Sequence, residues 1–217
     1  MNNTITILVD NDSWILPHAR NLERQLISME LDAKLVHSAE EIREGWACFL
    51  IGCIHIVKGE YLSRNTHNLV VHESDLPKGR GFAPMAWQIL EGASTIPVCL
   101  LEATVGEPDA GDIWIKDSIE LTGDEFLPVW RRLQGEKTVE LCMKFVNDYE
   151  SLQPKSQFGE PTWYKRRKPD DSKLDLKLTI SQQINLLRIV DNERYPAFFM
   201  LGEKKIMLNI YDDESVS

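Results

Sequence analysis

Asn68-Leu69-Val70-Val71-His72-Glu73-Ser74-Asp75-Leu76-Pro77-Lys78-Gly79-Arg80-Gly81 changes character halfway along. Leu69, Val70 and Val71 are the apolar, largely β-branched residues of a buried strand, and the run stops at a histidine. Pro77, Gly79 and Gly81 then mark a loop. A strand that delivers His72 to its carboxyl end puts an imidazole where open α/β sheets bind ligands, in the crevice outside the strand ends. Gly79 and Gly81 let main-chain N–H groups approach a ligand, and Lys78 and Arg80 suit a phosphate or carboxylate. On this pattern alone His72 is either a structural strand end or a catalytic imidazole. An acidic segment, Glu107-Pro108-Asp109-Ala110-Gly111-Asp112, lies further along.

The flanking sequence supplies the sheet for such a strand. Apolar runs at 5–9, 33–36 and 47–51 predict three strands, and Ala19, Leu22, Leu26 and Met29 recur at helical spacing after Pro17, which fits a first helical turn. Ser38 with Glu41 three residues later has the spacing of a capping box for a brief helix. Strand, helix, strand, helix, strand is the order of a Rossmann-like α/β sheet, but no Gly-x-Gly-x-x-Gly follows the first strand. Beyond the loop, the spacing predicts a helix over 84–90, strands over 96–101 and 113–121, and a long amphipathic helix from Asp124, broken at Gly135. Composition then shifts: residues 153–173 are rich in Pro, Gly and charge and read as a linker. An amphipathic helix over 180–190 and a hairpin turning at Gly202 follow, with fraying expected at 212–217. The expected division is a catalytic domain over 1–152 and an extension over 153–217.

His72, Ser74, Leu76, Pro77, Arg80 and Gly81, followed by Asp109, Gly111 and Asp112, resemble the signatures of the folate-dependent formyltransferase family. In that family Asn-x-His-x-Ser-Leu-Leu-Pro-x-x-Arg-Gly precedes an Asp-x-Gly-Asp. The tail, with Arg166, Arg167, Pro169 and Asp171 and then Tyr195, Pro196, Phe198 and Phe199, is similar to members that formylate the amino group of a nucleotide-linked sugar. The resemblance implies a Rossmann-like open sheet of the formyltransferase type with a helix-plus-hairpin extension. It also implies 10-formyltetrahydrofolate as co-substrate, without a metal, and a nucleotide-linked amino sugar as acceptor in polysaccharide biosynthesis, with 4-amino sugars such as pseudaminic-acid precursors among the expected classes. By position it places Ile56 and Val57 against the pterin, where plain core residues are the alternative.

Formyl transfer needs a neutral amine, stabilisation of negative charge on the formyl oxygen and a route for a proton. An imidazole with a carboxylate beside it handles the proton, and His72 with Asp109 supplies that pair; Asp109 is also implied in folate binding. Ser74 is a substrate-side residue or only forms the turn after the strand, and Arg80 holds a substrate phosphate or braces the loop. The family's Asn, a hydrogen-bond donor to the oxygen, is replaced by Val70, and losing such a donor costs about 3 to 4 kcal/mol. Asn68 shares that strand face but sits about 6.6 Å further from His72, so it reaches the site only through a β-bulge. Otherwise a backbone N–H near Ser74 or Asp109 must serve.

Composition narrows the partners. A formal net charge of -10 argues against nucleic acid, since phosphate-tracking proteins carry a basic footprint. That charge, and the lack of a full-sized basic C-terminal domain, weigh against a methionyl-tRNA formyltransferase-like enzyme. A non-catalytic folate- or nucleotide-binding homologue is a further alternative, kept open by Val70. Apolar runs are strand-sized and no secretory leader is visible, which predicts a cytoplasmic protein with no membrane partner. The four cysteines, without a Cys-x-x-Cys pair, fit free buried thiols, and the histidines have no metal-ligand spacing. The basic run 165–168 is either a solvated linker or a diphosphate contact. Tyr195, Phe198 and Phe199 predict a homodimer through the C-terminal region unless they pack back on the first domain.

Overall fold

A computed structural model describes residues 3–211. In chain order these form β1 (Thr4–Leu8), α1 (Leu16–Ser28), β2 (Asp32–Val36), β3 (Gly45–Leu50), α2 (Gly59–Leu62), β4 (Asn65–His72), β5 (Arg80–Gly81) and α3 (Pro84–Leu90). Then follow β6 (Thr95–Glu102), β7 (Ile113–Glu120), α4 (Leu127–Asp148), β8 (Trp163–Tyr164), α5 (Ile184–Arg188), β9 (Ala197–Leu201) and β10 (Lys204–Leu208). Six strands build one sheet in the order β2-β1-β3-β4-β6-β7. The first four are parallel neighbours, as the alternation of strands and helices predicts, while β6 runs antiparallel to both β4 and β7. β6 and β7 are joined by residues 103–112, with no helix to carry a parallel crossover.

The two faces of the sheet are covered differently. Alternation sends Ile5, Ile7, Phe49, Ile51 and Leu69 to one face, where α1 contributes Ala19, Leu22 and Leu26 and α4 contributes Trp130, Cys142 and Phe145 to the main core. Each wholly buried leucine there contributes about 2 kcal/mol. Leu8, Cys48 and Leu50 point the other way, into a smaller cluster with Leu62 of α2 and the half-buried Val57 and Val70. Val70 also meets Leu76, Cys99, Leu101 and Ile113. Loops and the single turn of α2 cover this second face, and His72 shares it.

Three expectations change in detail. α4 is not broken at Gly135: the His18 ring of α1 crosses α4 there, and a Cβ at 135 would run into it, so this glycine serves close helix packing instead of ending a helix. The helix also begins at Leu127, because the Glu125 carboxylate accepts the N–H groups of Thr122 at 2.6 Å and Gly123 at 3.1 Å and folds 122–125 into a turn. The helix expected over 180–190 shortens to α5, preceded by the 3-10 turn Ser181–Gln183. The hairpin of β9 and β10 forms as expected, with Leu201 opposite Lys204 across Gly202. Expected fraying at 212–217 lies outside the described residues.

The tail is anchored at the start of α4. Arg188 pairs with Glu125 at 3.2 Å, Arg131 with Asp191 at 2.8 Å, and Trp130 Nε1 donates to the Arg188 carbonyl at 3.0 Å. Arg167 is buried, donating to the Ile189 carbonyl and the Ser172 hydroxyl with its guanidinium over the Tyr195 ring. Phe198 is buried beneath Lys205, whereas Leu176, Leu178, Ile180, Leu201 and Met207 stay exposed.

Candidate active site

β4 delivers His72 at its last position, opposite Cys99 of β6. Both ring nitrogens are oriented. Nε2 lies 2.8 Å from the Gly79 carbonyl, which can only accept, so Nε2 carries the proton. Nδ1 faces Asp109 Oδ1 across 3.5 Å, too far for a good hydrogen bond. The side chains of both residues are largely buried. The structure thus brings together His72 and Asp109, the pair the sequence motifs single out.

Asp109 arrives by an indirect route. β6 ends level with the middle of β4, since Glu102 pairs with Leu69 and the Ala103 N–H donates to the Asn68 carbonyl at 2.6 Å. Residues 103–112 therefore fold back over the thinly covered face to reach His72. Asp109 takes a left-handed conformation, φ 58°, and its Oδ2 accepts the Gly81 N–H at 3.0 Å. Gly81 itself has φ 102°, and a side chain there would press into the Tyr164 carbonyl. The glycine is thus required both by its conformation and by the strand beside it.

That strand belongs to the stretch whose composition suggests a linker. β8 pairs with β5, the Arg80 N–H donates to the Thr162 carbonyl at 2.9 Å, and the Thr162 hydroxyl accepts the Gly79 N–H at 2.8 Å. Gln157 ties the two loops together: its amide donates to the carbonyls of Asp109 and Gly111, and its Oε1 accepts from Arg80. Sequence reasoning missed Gln157 and Thr162, and polar residues in a linker-like stretch give no signal that would have found them. Glu73, passed over as a spacer, is buried behind His72 and accepts from the Gln134 amide at 2.7 Å. Burial pushes its carboxyl above the usual range.

The other expected site residues are dispersed. Arg80 is buried and braces the loop, donating to Glu107 at 2.8 Å and Gln157 at 2.8 Å with Trp163 against its guanidinium, while its Nε has no partner among the described residues. Lys78 is exposed. The Ser74 hydroxyl is buried without a hydrogen-bond partner among the described residues. Asn68 does not reach His72: β4 keeps unbroken register with β3 and β6, so no bulge carries it forward, and its Nδ2 donates to the Leu62 carbonyl at 2.9 Å. The irregularity in this sheet falls between β6 and β7 instead. The Ser74 N–H is already donated to the His72 carbonyl, which removes it as the oxygen-binding donor. The N–H groups of Asp109, Ala110 and Gly111 form no hydrogen bond among the described residues. Val57 packs in the smaller core cluster, while Ile56 is 74% exposed. Ile54, Ile56 and Val105 are exposed apolar side chains on the two loops, and the Val105 side chain contacts the loop at Gly59. Residues 52–59 and 103–112 therefore meet over this face of the sheet, where Val57, Val70 and Ala103 pack in one cluster.

Among the described residues no cluster of three or more His, Cys, Asp and Glu side chains is arranged to hold a metal, and no helix is long and apolar enough to cross a membrane. The cysteines are free. In the basic run, Lys165 pairs with Asp171, Arg167 is buried, and Arg166 lies over the Phe82 ring.

No protein-family model matches the chain. Two curated relatives are methionyl-tRNA formyltransferases. That of Rickettsia bellii is 33% identical over 96 residues, 44% of this chain and 31% of its own length. That of Streptococcus gordonii is 28% identical over 145 residues, 63% of this chain and 46% of its own length. The chain thus spans less than half the length of these relatives. Among solved structures, methionyl-tRNA formyltransferase from Clostridium thermocellum superposes with a TM-score of 0.76 at 20% identity, covering 94% of this chain and 96% of that one. A 4-N formyltransferase from Francisella tularensis gives 0.72 at 18%, covering 95% and 96%. HypX from Aquifex aeolicus in complex with tetrahydrofolic acid gives 0.78 at 19%, covering 94% of this chain and 37% of that one. These likenesses establish the formyltransferase fold.

Proposed function

We propose that this chain transfers a formyl group from 10-formyltetrahydrofolate to the amino group of a nucleotide-linked amino sugar, as a homodimer in the cytoplasm. The observation that carries the reading is the His72–Asp109 pair: one ring nitrogen fixed by the Gly79 carbonyl, the other facing a carboxylate across 3.5 Å. With Nε2–H committed, Nδ1 is the nitrogen that takes a proton from the acceptor amine, and Asp109 offsets the positive charge that the ring then gains. The folate supplies the formyl group, with its ring against Ile54, Ile56 and Val105. Val70 cannot donate to the formyl oxygen, and the free donors nearby are the Ser74 hydroxyl and the N–H groups of residues 109–111. The exposed Lys78 contacts substrate, while Arg80 holds the loop. The thiols suit a reducing compartment. Exposed Leu201 and Met207 on the hairpin, with Leu176, Leu178 and Ile180, support dimerisation through the tail. The proposed boundary between catalytic region and extension stays near residue 152, with 155–164 belonging functionally to the site.

A second reading, transfer to methionyl-tRNA, is favoured by the curated relatives and opposed by the net charge of -10. Incubation with 10-formyltetrahydrofolate and, separately, a panel of nucleotide-linked amino sugars and charged initiator tRNA tests both. The expected result is a formyl mass increment on a sugar nucleotide and none on tRNA. Folate binding without transfer to any acceptor would instead indicate a binding homologue, and a monomer by light scattering at micromolar concentration would remove the dimer.

A further inference from the structure

With Arg80 engaged in bracing, an anionic substrate needs another partner at this edge of the sheet. The first and third strands end beside each other, at the point where the strand order reverses, and a second histidine–carboxylate pair bridges the loops that follow them. The Asp10 side chain, 10% exposed, accepts the N–H groups of Ile54 at 2.9 Å and His55 at 2.9 Å and the Asn11 amide at 2.8 Å. Its Oδ2 also lies 3.0 Å from His55 Nδ1. The His55 side chain is 74% exposed, and Nε2 has no hydrogen-bond partner among the described residues. A carboxylate fixed by this many donors does not follow the ring, so it aims Nε2 outward. Burial raises the Asp10 proton affinity, but those hydrogen bonds outweigh it and keep the carboxyl below its usual range. His55 sits in the same loop as Ile54 and Ile56, which meets residues 103–112 where Val105 lies against Gly59, and Lys58 on that loop is exposed, its nearest acid Glu60 at 3.9 Å.

Resting on the formyltransferase reading of this site, we propose that His55, as the doubly protonated imidazolium, is an anion-binding residue, donating Nε2–H to a phosphate or carboxylate oxygen while Nδ1–H is held by Asp10 as its positioning residue. The two sources of such an oxygen are the diphosphate of the sugar nucleotide and the carboxylate tail of the folate.

Imidazole-15N NMR of the full chain, with the His55 signals assigned by their loss in His55→Ala, tests this with inorganic pyrophosphate and tetrahydrofolate as separate probes. A saturable shift at His55 Nε2 is expected, together with about tenfold weaker binding of one probe in His55→Ala and partial recovery in His55→Gln, which keeps a donor. Loss of pyrophosphate binding identifies the diphosphate, and loss of tetrahydrofolate binding identifies the folate tail. Affinities for both probes within twofold of wild type in a folded His55→Ala protein overturn the proposal, as does a wild type that binds neither. Asp10→Asn should move the His55 Nδ1 signal along with the affinity; weakened binding with an unmoved Nδ1 signal refutes its positioning role. Formyl transfer is measured separately on wild type, so its absence would sink the proposed function without deciding the probe titrations.

Discussion

One strand, β4, carries two histidines that each meet a carboxylate, and they do opposite things. His67 points into the face covered by α4: Nδ1 lies 2.7 Å from Glu102 Oε1 and Nε2 2.9 Å from the Tyr149 hydroxyl. Trp46, Trp114, Phe145 and Tyr149 pack around its ring, and Trp114 Nε1 donates to the same Glu102 oxygen. Every polar atom of this ring is satisfied by a side chain. His72 points into the loop-covered face, with one nitrogen held by a backbone carbonyl and the other short of a hydrogen bond to Asp109. A saturated imidazole in an aromatic box has nothing left to offer a substrate; an imidazole fixed on one side and facing a carboxylate across a gap does. The difference follows from strand alternation and from which face the long helices cover.

The largest effect should separate the two histidines. His72→Ala and Asp109→Ala are each expected to lower the rate of formyl transfer about a hundredfold or more with a native circular dichroism spectrum. Single-turnover rates near wild type in either variant would erase the distinction. His67→Ala should do the reverse, costing about 2 to 4 kcal/mol in chemical denaturation, because a cavity opens and Glu102 and Tyr149 lose their partner. Its turnover, measured where it is fully folded, should stay within about threefold of wild type. A hundredfold loss there would mean the network around His67 reaches the site.

Asn68 lies between the two and should resemble His67. Asn68→Ala removes the bond to the Leu62 carbonyl and is expected to cost about 1 to 2 kcal/mol of stability, with a much smaller loss in the chemical step than His72→Ala causes. Equal damage to that step in a folded variant would put Asn68 in the site after all.

The smallest effect concerns pH. Glu73, next to His72 in sequence, is turned to the helix-covered face, and burial raises its carboxyl pKa while His72 and Gln134 oppose this. The folded chain then keeps a proton that the unfolded chain releases, so stability is whole below the ordinary carboxylate range and declines as pH rises toward the folded value. Glu73→Gln should therefore be more stable than wild type at neutral pH, with the two converging near pH of about 4 in denaturation titrations. A constant difference across that range would show that packing, not proton linkage, governs the site.

Much of this was legible from residue pattern. The β-branched runs and helical spacings marked the strands of the sheet and α1, because burial on one or both faces of an element imposes its period on the sequence. His72 and Asp109 stood out because proton transfer calls for an imidazole and a carboxylate, and both lie in segments with glycines beside them. What pattern does not carry is which side of an element a neighbour will cover. Gly135 reads as a helix break until the His18 ring is seen crossing it. Arg80 reads equally as a phosphate ligand or a loop brace until Glu107 and Gln157 are found on it.

Asn68 reads as a displaced catalytic donor until the unbroken register of β4 turns it toward α2, and 153–164 reads as a linker until β8 pairs with β5. Local sequence thus determined the periodic elements and the reactive residue types, since both depend on interactions within a few positions. Tertiary structure decided which polar groups are already spent on one another and which remain free, because those partners come from segments far apart in the chain, joined only when the sheet brings its loops together.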